Sequence, residues 1–185
     1  MAKQPLPDAS YLKECFDYNP HTGILIWKIR PARHFKKTRG MRNFNSNYAG
    51  KIAGTKLLSR ENSKTHYIRI SCFSFRDYAH RIIWKIMTGV DAEGEIDHAN
   101  RNGLDNSWSN LRDCSHSQNA CNKVQKCGVS GKKGVWKKRN KWQAYIKLNG
   151  LRHNLGVYDT VEEAYAAYCA GSEALHKEFG NVVSL

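Results

Sequence analysis

The sequence predicts an α+β protein in two modules. Three observations lead there. The stretch KVQKCGVSGKK at residues 123–133 combines four lysines with turn formers and reads as a linker. Beyond it the pattern becomes three short strands and one helix, and before it strands and a helical stripe lead into a polar, turn-rich run. A length of 185 residues suits one large domain or two small ones. The expected division is a first domain over 1–122, a linker over 123–133 and a second domain over 134–185.

The elements follow in chain order. Tyr11–Phe16 is a short helix candidate. Asn19, Pro20, His21, Thr22 and Gly23 form a turn by composition, and Ile24–Ile29 is a strand. Residues 30–65 read as irregular and basic, with Arg30, Arg33, Lys36, Lys37, Arg39 and Arg42 offering either a DNA-contacting loop or a solvated one. Tyr67–Phe75 alternates as a half-buried strand with Ile68, Ile70 and Cys72 on one side. Arg76–Thr88 reads as a helix whose buried stripe is Ala79, Ile82, Ile83, Ile86 and Met87, stopped by Gly89. His80 and Trp84 lie off that stripe and are assigned to second-layer packing.

In the second module, Gly134–Lys138, Trp142–Leu148 and Leu151–Gly156 are strands, with Asn149 and Gly150 as a hairpin turn. Thr160 and Glu163 make a capping box. Val161, Ala164, Tyr165, Tyr168 and Leu175 mark the buried side of the helix that follows. Trp142, Ala144, Ile146 and Leu148 alternate toward that helix. Gln143, Tyr145 and Lys147 then face away, joined across the hairpin by Arg152 and Asn154.

Charge narrows the function classes. The net charge is +14 and the isoelectric point is near 9.6, so the partner should be a polyanion, of which nucleic acid is the commonest. The charge is uneven: +12 over residues 1–90, −2 over 91–127 and +4 over 128–185. An acidic middle between basic flanks suits DNA grips around a cation site. No apolar run is long enough to cross a membrane, and no basic amphipathic helix or lipidation signal marks a membrane partner. The N-terminal MAKQPLPDAS has no apolar core, so a cytoplasmic location with mostly reduced cysteines is expected. Cys114, His116, Cys121 and Cys127 cluster but lack the paired short spacing of structural zinc sites, so no zinc is expected.

The run from Ile96 reads IDHANRNGLDNSWSNLRDCSHSQNACN. Asp97 and His98 are adjacent, so on a strand they point oppositely and can share a site only at a strand end or sharp bend. Asp97 offers a hard carboxylate oxygen, and His98 can act as a general base near neutral pH. A polar helix candidate, Ser115–Lys123, carries Asn119.

This stretch resembles the HNH (ββα-metal) nuclease motif in the form found in phage and intron homing endonucleases. The upstream strand and AHRIIW helix belong to the same likeness. The resemblance implies that Asp97 and Asn119 bind one divalent cation and that His98 is the general base oriented by Asn110. Arg112 would either clamp a phosphate or form a structural salt bridge. Asn119 at the last position favours Mg2+ or Mn2+.

Residues 128–183 resemble an AP2 DNA-binding domain on KKGVW, KWQAYIKLNG, Leu155 with Gly156, and YDTVEEAYAAY. That likeness implies a three-stranded antiparallel sheet on one helix, with the sheet in the DNA major groove. Its contact residues would be Lys133, Trp136, Lys138, Tyr145, Lys147, Arg152 and Asn154. Several family arginines are lysine, tyrosine or asparagine here, so the family's target sequences do not carry over. Together the resemblances imply a metal-dependent endonuclease of double-stranded DNA in the cytoplasm of a phage's bacterial host; a single active centre per chain suggests a nick by a monomer, whereas a dimer could cut both strands. The alternatives are a sequence-preferring regulatory DNA-binding protein with an inactive nuclease centre, or an RNA-directed protein, although the sheet lacks the paired exposed aromatics of an RNA-recognition platform.

Overall fold

The computed structural model describes residues 5–58, 65–72, 75–123, 127–176 and 179–180. The chain forms two compact units, Met1–Asp113 and Cys114–Leu185.

In the first unit, α1 (Ala9–Cys15) runs directly into β1 (Phe16–Asn19), which pairs antiparallel with β2 (Ile24–Trp27). The turn between them is built as its composition predicts. The Asn19 side-chain oxygen accepts from the N–H groups of His21 and Thr22 at 3.0 and 3.2 Å, and Gly23 takes φ +72°.

The expectation of irregular chain over 30–65 is corrected within its described part. Thr38–Tyr48 is helix α2 and Thr55–Leu58 is strand β3, while 59–64 lie outside the described residues. Residues such as Gly40, Asn43, Asn45 and Asn47 have poor helix propensity, and tertiary contacts override it. Phe44 is buried with its ring 5.1 Å from Trp27, and Asn45 exchanges two side-chain hydrogen bonds with the Arg30 backbone. Arg30 itself is no surface contact. It is 1% exposed, donates to the Tyr11 hydroxyl at 2.6 Å, and lies against the rings of Phe35 and Phe44.

Strand β4 (His66–Cys72) is central in an antiparallel sheet of order β3–β4–β5, with β5 at Phe75–Tyr78. Ile70 is fully buried, and Ile68 and Cys72 pack against the same core. The helix expected from Arg76 begins instead at Ala79 as α3 (Ala79–Thr88). Residues 75–78 are held as strand by pairing with 69–72, which outweighs their helical periodicity. Gly89, at φ +85°, ends α3 as expected. Ala79, Ile82, Ile83 and Ile86 face the core with Leu12, Phe16, Leu25, Trp27 and Phe75, but Met87 is exposed rather than buried. Trp84 packs on Trp108 at 5.2 Å. Strands β6 (Glu95–His98) and β7 (Leu111–Cys114) form a separate two-stranded sheet.

The second unit opens with α4 (His116–Asn122), whose capping box pairs Ser115 with Gln118. Then β8 (Val135–Lys138), β9 (Lys141–Leu148) and β10 (Leu151–Tyr158) form an antiparallel sheet of order β10–β9–β8. The hairpin turn at Asn149 and Gly150 has φ +49° and +85°, as a type I′ turn requires. Leu155 bulges between the pairs Asn154↔Tyr145 and Gly156↔Ala144. Helix α5 (Val161–His176) starts from reciprocal bonds between Thr160 and Glu163. Val135, Ala144 and Ala164 form its small core with Trp142, Leu155, Tyr158 and Tyr165 packed around them. Leu175, expected to be buried, is exposed.

The division between units falls between Asp113 and Cys114, whereas the sequence reading ended the first domain at 122. Helix α4 is tied to the sheet that follows it: Lys133 Nζ donates to the carbonyls of Cys121 and Lys123 at 2.6 and 3.2 Å, and the Asn149 N–H donates to Ser117 Oγ.

Candidate functional site

Strand β6 ends at His98, and the chain turns at once, with the Arg101 N–H bonded to the His98 carbonyl and Arg101 at φ +65°. That is the strand end the Asp97–His98 adjacency calls for. Both residues are buried, at 6% and 4% exposure.

Asp97 is held by Arg112 from β7, whose Nε and one terminal nitrogen donate to Oδ2 at 2.9 and 2.7 Å. Of the two roles expected for Arg112, the structure places it in the salt bridge. The His98 imidazole is walled by aromatic rings. Tyr67 from β4 lies 5.7 Å from it, and His80 from α3 meets it edge-on at 5.1 Å. Tyr78 stacks on His80 in turn. Burial lowers the His98 pKa below its ordinary 6.5, outweighing the opposing pull of the Asn106 hydrogen bond and of Asp97 and Asp105. The Tyr67 phenol is pushed up by burial and by Asp97, so it stays protonated.

The loop after His98 is pinned by its own amides. Asn110 accepts from the Asn100 N–H at 2.9 Å and donates to the Asp105 carbonyl at 2.7 Å. Its backbone carbonyl accepts from the Ala99 N–H. Asn110 thus acts on the backbone beside His98. Asp105 accepts from the hydroxyl and N–H of Ser107 and from the Asn100 amide, bonds that lower its pKa.

The side chain that reaches the imidazole is one the sequence reading did not single out. Asn106 is 2% exposed and lies with Oδ1 3.2 Å from His98 Nε2. Four asparagines, Asn100, Asn102, Asn106 and Asn110, stand within one turn-rich run, and the nuclease likeness singles out Asn110 by spacing but gives no mark to Asn106. Burial does, since only Asn106 and Asn110 are enclosed. His80, assigned to packing, proves to pack on the site itself.

Asn119, the expected second ligand, lies half-buried on α4 in the second unit. Among the described residues no group of three or more His, Cys, Asp and Glu forms a metal cage. Asp97 supplies a buried carboxylate, a hard oxygen donor of the kind a divalent cation accepts.

In the second unit, one face of the sheet carries a row of polar and aromatic groups. Trp136, half exposed, stacks on Tyr145 at 6.2 Å between centroids. The Arg152 guanidinium lies 4.1 Å from the Tyr145 centroid, and Gln143 donates to Asn154 at 3.0 Å. Register puts Lys147 opposite Arg152, and Lys138 opposite Lys141 at the sheet's end. Lys133 does not join this face. It is 7% exposed, and its ammonium is engaged by the last carbonyls of α4, where a cation complements the helix dipole.

A family profile described as HNH endonuclease matches residues 77–121, which include Asp97, His98, Asn106, Asn110, Arg112 and Asn119. An uncharacterised HNH endonuclease of Acanthamoeba polyphaga mimivirus is 34% identical over 103 residues, 54% of this chain and 54% of that protein. Protein 3.8 of Escherichia phage T7 is 33% identical over 104 residues, 54% of this chain and 85% of that protein. The match thus spans about half the length of the mimivirus relative and most of the phage one. No solved structure matches the chain.

Proposed function

The chain belongs to the HNH endonuclease family, and from that premise we propose that it hydrolyses phosphodiester bonds in double-stranded DNA with one divalent cation, Mg2+ or Mn2+. The observation that carries the reading is a buried imidazole, His98, beside a buried carboxylate, Asp97, at the end of one strand. With its pKa depressed, His98 is neutral at physiological pH and takes the proton of the attacking water. Asn110 holds the loop that carries it. Asp97 and Asn119 are the residues that would hold the cation. When bound, it supplies positive charge for the developing phosphorane and the leaving oxygen. Arg112 balances Asp97 and stands within reach of the same chemistry.

The sheet face of Trp136, Lys138, Tyr145, Lys147, Arg152 and Asn154 is read as an AP2-like targeting surface laid in the major groove. Lys133 is removed from it by its burial. The further proposals are a homing-type, phage-derived nuclease that nicks as a monomer in the host cytoplasm. One observation favours the other reading, a DNA-binding regulator with a silent centre: Arg112 occupies the carboxylate a cation needs.

Plasmid relaxation separates the two. The wild type should nick supercoiled DNA with Mg2+ or Mn2+ and lose nicking on chelation, and His98→Ala should lower the rate at least 100-fold. No metal-dependent cleavage by the wild type, or undiminished cleavage by His98→Ala, overturns the nuclease reading.

A further inference from the structure

We infer that helix α2 is a duplex-DNA contact of the first unit, laid in the major groove with Arg39 and Arg42 on backbone phosphates. The choice of partner rests on the DNA-directed reading above, but not on whether the centre at His98 cuts.

The basic stretch that the sequence offers as a DNA-contacting or a solvated loop is here a helix with two unlike sides. Gly40, Met41, Phe44 and Asn45 are buried or partly covered. Arg39, Arg42, Asn43, Ser46 and Asn47 are all exposed, and steps of three and four residues put them on one face. Solubility alone is served by charges of both signs, and this face carries one sign. From residue 18 to residue 58, Lys and Arg occur nine times and Asp and Glu not at all.

The structure also sorts the cations. Arg30 is buried and Arg33 is paired with Glu14 at 2.6 Å, so neither is offered to a partner. Lys36, Lys37, Arg39 and Arg42 are exposed, and among the described residues no carboxylate pairs with them. Asn47 Nδ2 donates to the backbone and side-chain oxygens of Asn43, each at 2.8 Å. The Asn43 NH2 and the Asn47 oxygen are left as a donor and an acceptor on the exposed face. From beneath, Phe44 against Trp27 and Asn45 against Arg30 hold the helix, so it loses little freedom on docking. A helix about 10–12 Å across enters the major groove, about 12 Å wide, and is too broad for the minor groove at about 6 Å. The face is built of Arg, Asn and Ser, without a ring on which the bases of a single strand would stack.

The test measures binding of the full chain to a labelled duplex by anisotropy over a salt series, with EDTA present so that cleavage plays no part. Arg39→Gln/Arg42→Gln removes two phosphate contacts. The slope of log affinity against log salt should become shallower by about 1.8, and affinity at low salt should fall about tenfold or more. Lys13→Gln/Lys28→Gln removes the same charge from exposed lysines outside α2 and should leave slope and affinity near those of the wild type. Arg39→Lys/Arg42→Lys keeps the charge and should restore the wild-type slope. Thermal unfolding should be unchanged in all three, because every replaced side chain is exposed. An unchanged slope in Arg39→Gln/Arg42→Gln overturns the inference. So does an equal loss in the lysine variant, which makes the effect one of net charge, and so does a loss confined to single-stranded RNA. If the glutamine pair fails to fold, Arg42→Gln alone should lower the slope by about 0.9, and an unchanged slope there overturns the inference equally. A wild type that binds in this way without cutting removes the nuclease reading and keeps the inference. A wild type that cuts, beside a glutamine pair that binds as the wild type does, keeps the nuclease reading and removes the inference.

Discussion

Gly23 lies far from His98 in sequence, yet a single methyl group there should damage both fold and site. It sits at φ +72°, and a Cβ would drive into the backbone of Asn106 and Ser107, which cannot swing aside as a flexible side chain would. Two costs add. A left-handed conformation costs a non-glycine residue about 1–2 kcal/mol. Forcing packed backbone apart costs about 1–3 kcal/mol more. Gly50 separates the two, because it has φ +77° but nothing within 4 Å of its would-be Cβ. Gly50→Ala should therefore cost only the first, about 1–2 kcal/mol, and Gly23→Ala roughly 2–5 kcal/mol. In a domain of this size the difference is roughly 5–20 °C in midpoint. Thermal unfolding followed by circular dichroism measures it. Nicking at a temperature where both variants are folded should be impaired only in Gly23→Ala, because only that change displaces the loop carrying Asn106. Equal midpoints for the two variants, or equal nicking rates, would refute the reasoning.

Other perturbations follow from the same contacts. Arg112→Ala strips the buried Asp97 carboxylate of its guanidinium and should destabilise the first unit by about 3–5 kcal/mol; denaturant titration checks this, and a change under about 1 kcal/mol would mean the pair is not buried as a unit. Because burial lowers the His98 pKa and the base works when neutral, activity should be lost only as pH falls through that lowered value. The nicking rate should thus fall with a midpoint below pH 6.5, and a fall centred above 6.5 would contradict it. Lys133→Met removes the ammonium from the carbonyls of Cys121 and Lys123; it should destabilise the second unit by about 1–3 kcal/mol while duplex affinity, read by anisotropy, stays unchanged in the folded protein. Arg152→Ala should instead weaken duplex binding by about 1–3 kcal/mol and leave cation affinity unchanged, and undiminished binding would remove the sheet from the DNA interface.

The second unit was largely legible because its signals are local. Asn149–Gly150 sets the hairpin, alternation sets the faces of β9, and Thr160–Glu163 sets the start of α5, each within a few residues of the structure it dictates. The first unit was less legible where long-range contacts decide. Helix α2 is a polar run stabilised by Phe44 against Trp27 and by Asn45 against Arg30, partners that lie outside any window of periodicity. The start of α3 moved for the same reason, since residues 75–78 answer to β4 rather than to their own pattern. Lys133 misled because the AP2 likeness put it among the DNA contacts, while the helix end it serves lies before the stretch that carries that likeness.

The site shows where that limit falls on chemistry. Asp97 and His98 declare themselves by adjacency, since two such side chains can cooperate only at a strand end, and β6 ends there. What they cannot declare is which amide meets the ring, because the candidates are chemically identical side chains a few residues apart. The choice among them is made by the β1–β2 hairpin, through Tyr18, Pro20 and Gly23. The N-terminal hairpin therefore takes part in setting which asparagine is buried against His98. Changes in that hairpin should act on His98 through geometry alone, leaving its neighbours Asp97 and Arg112 paired, and this separates a positioning effect from loss of the fold.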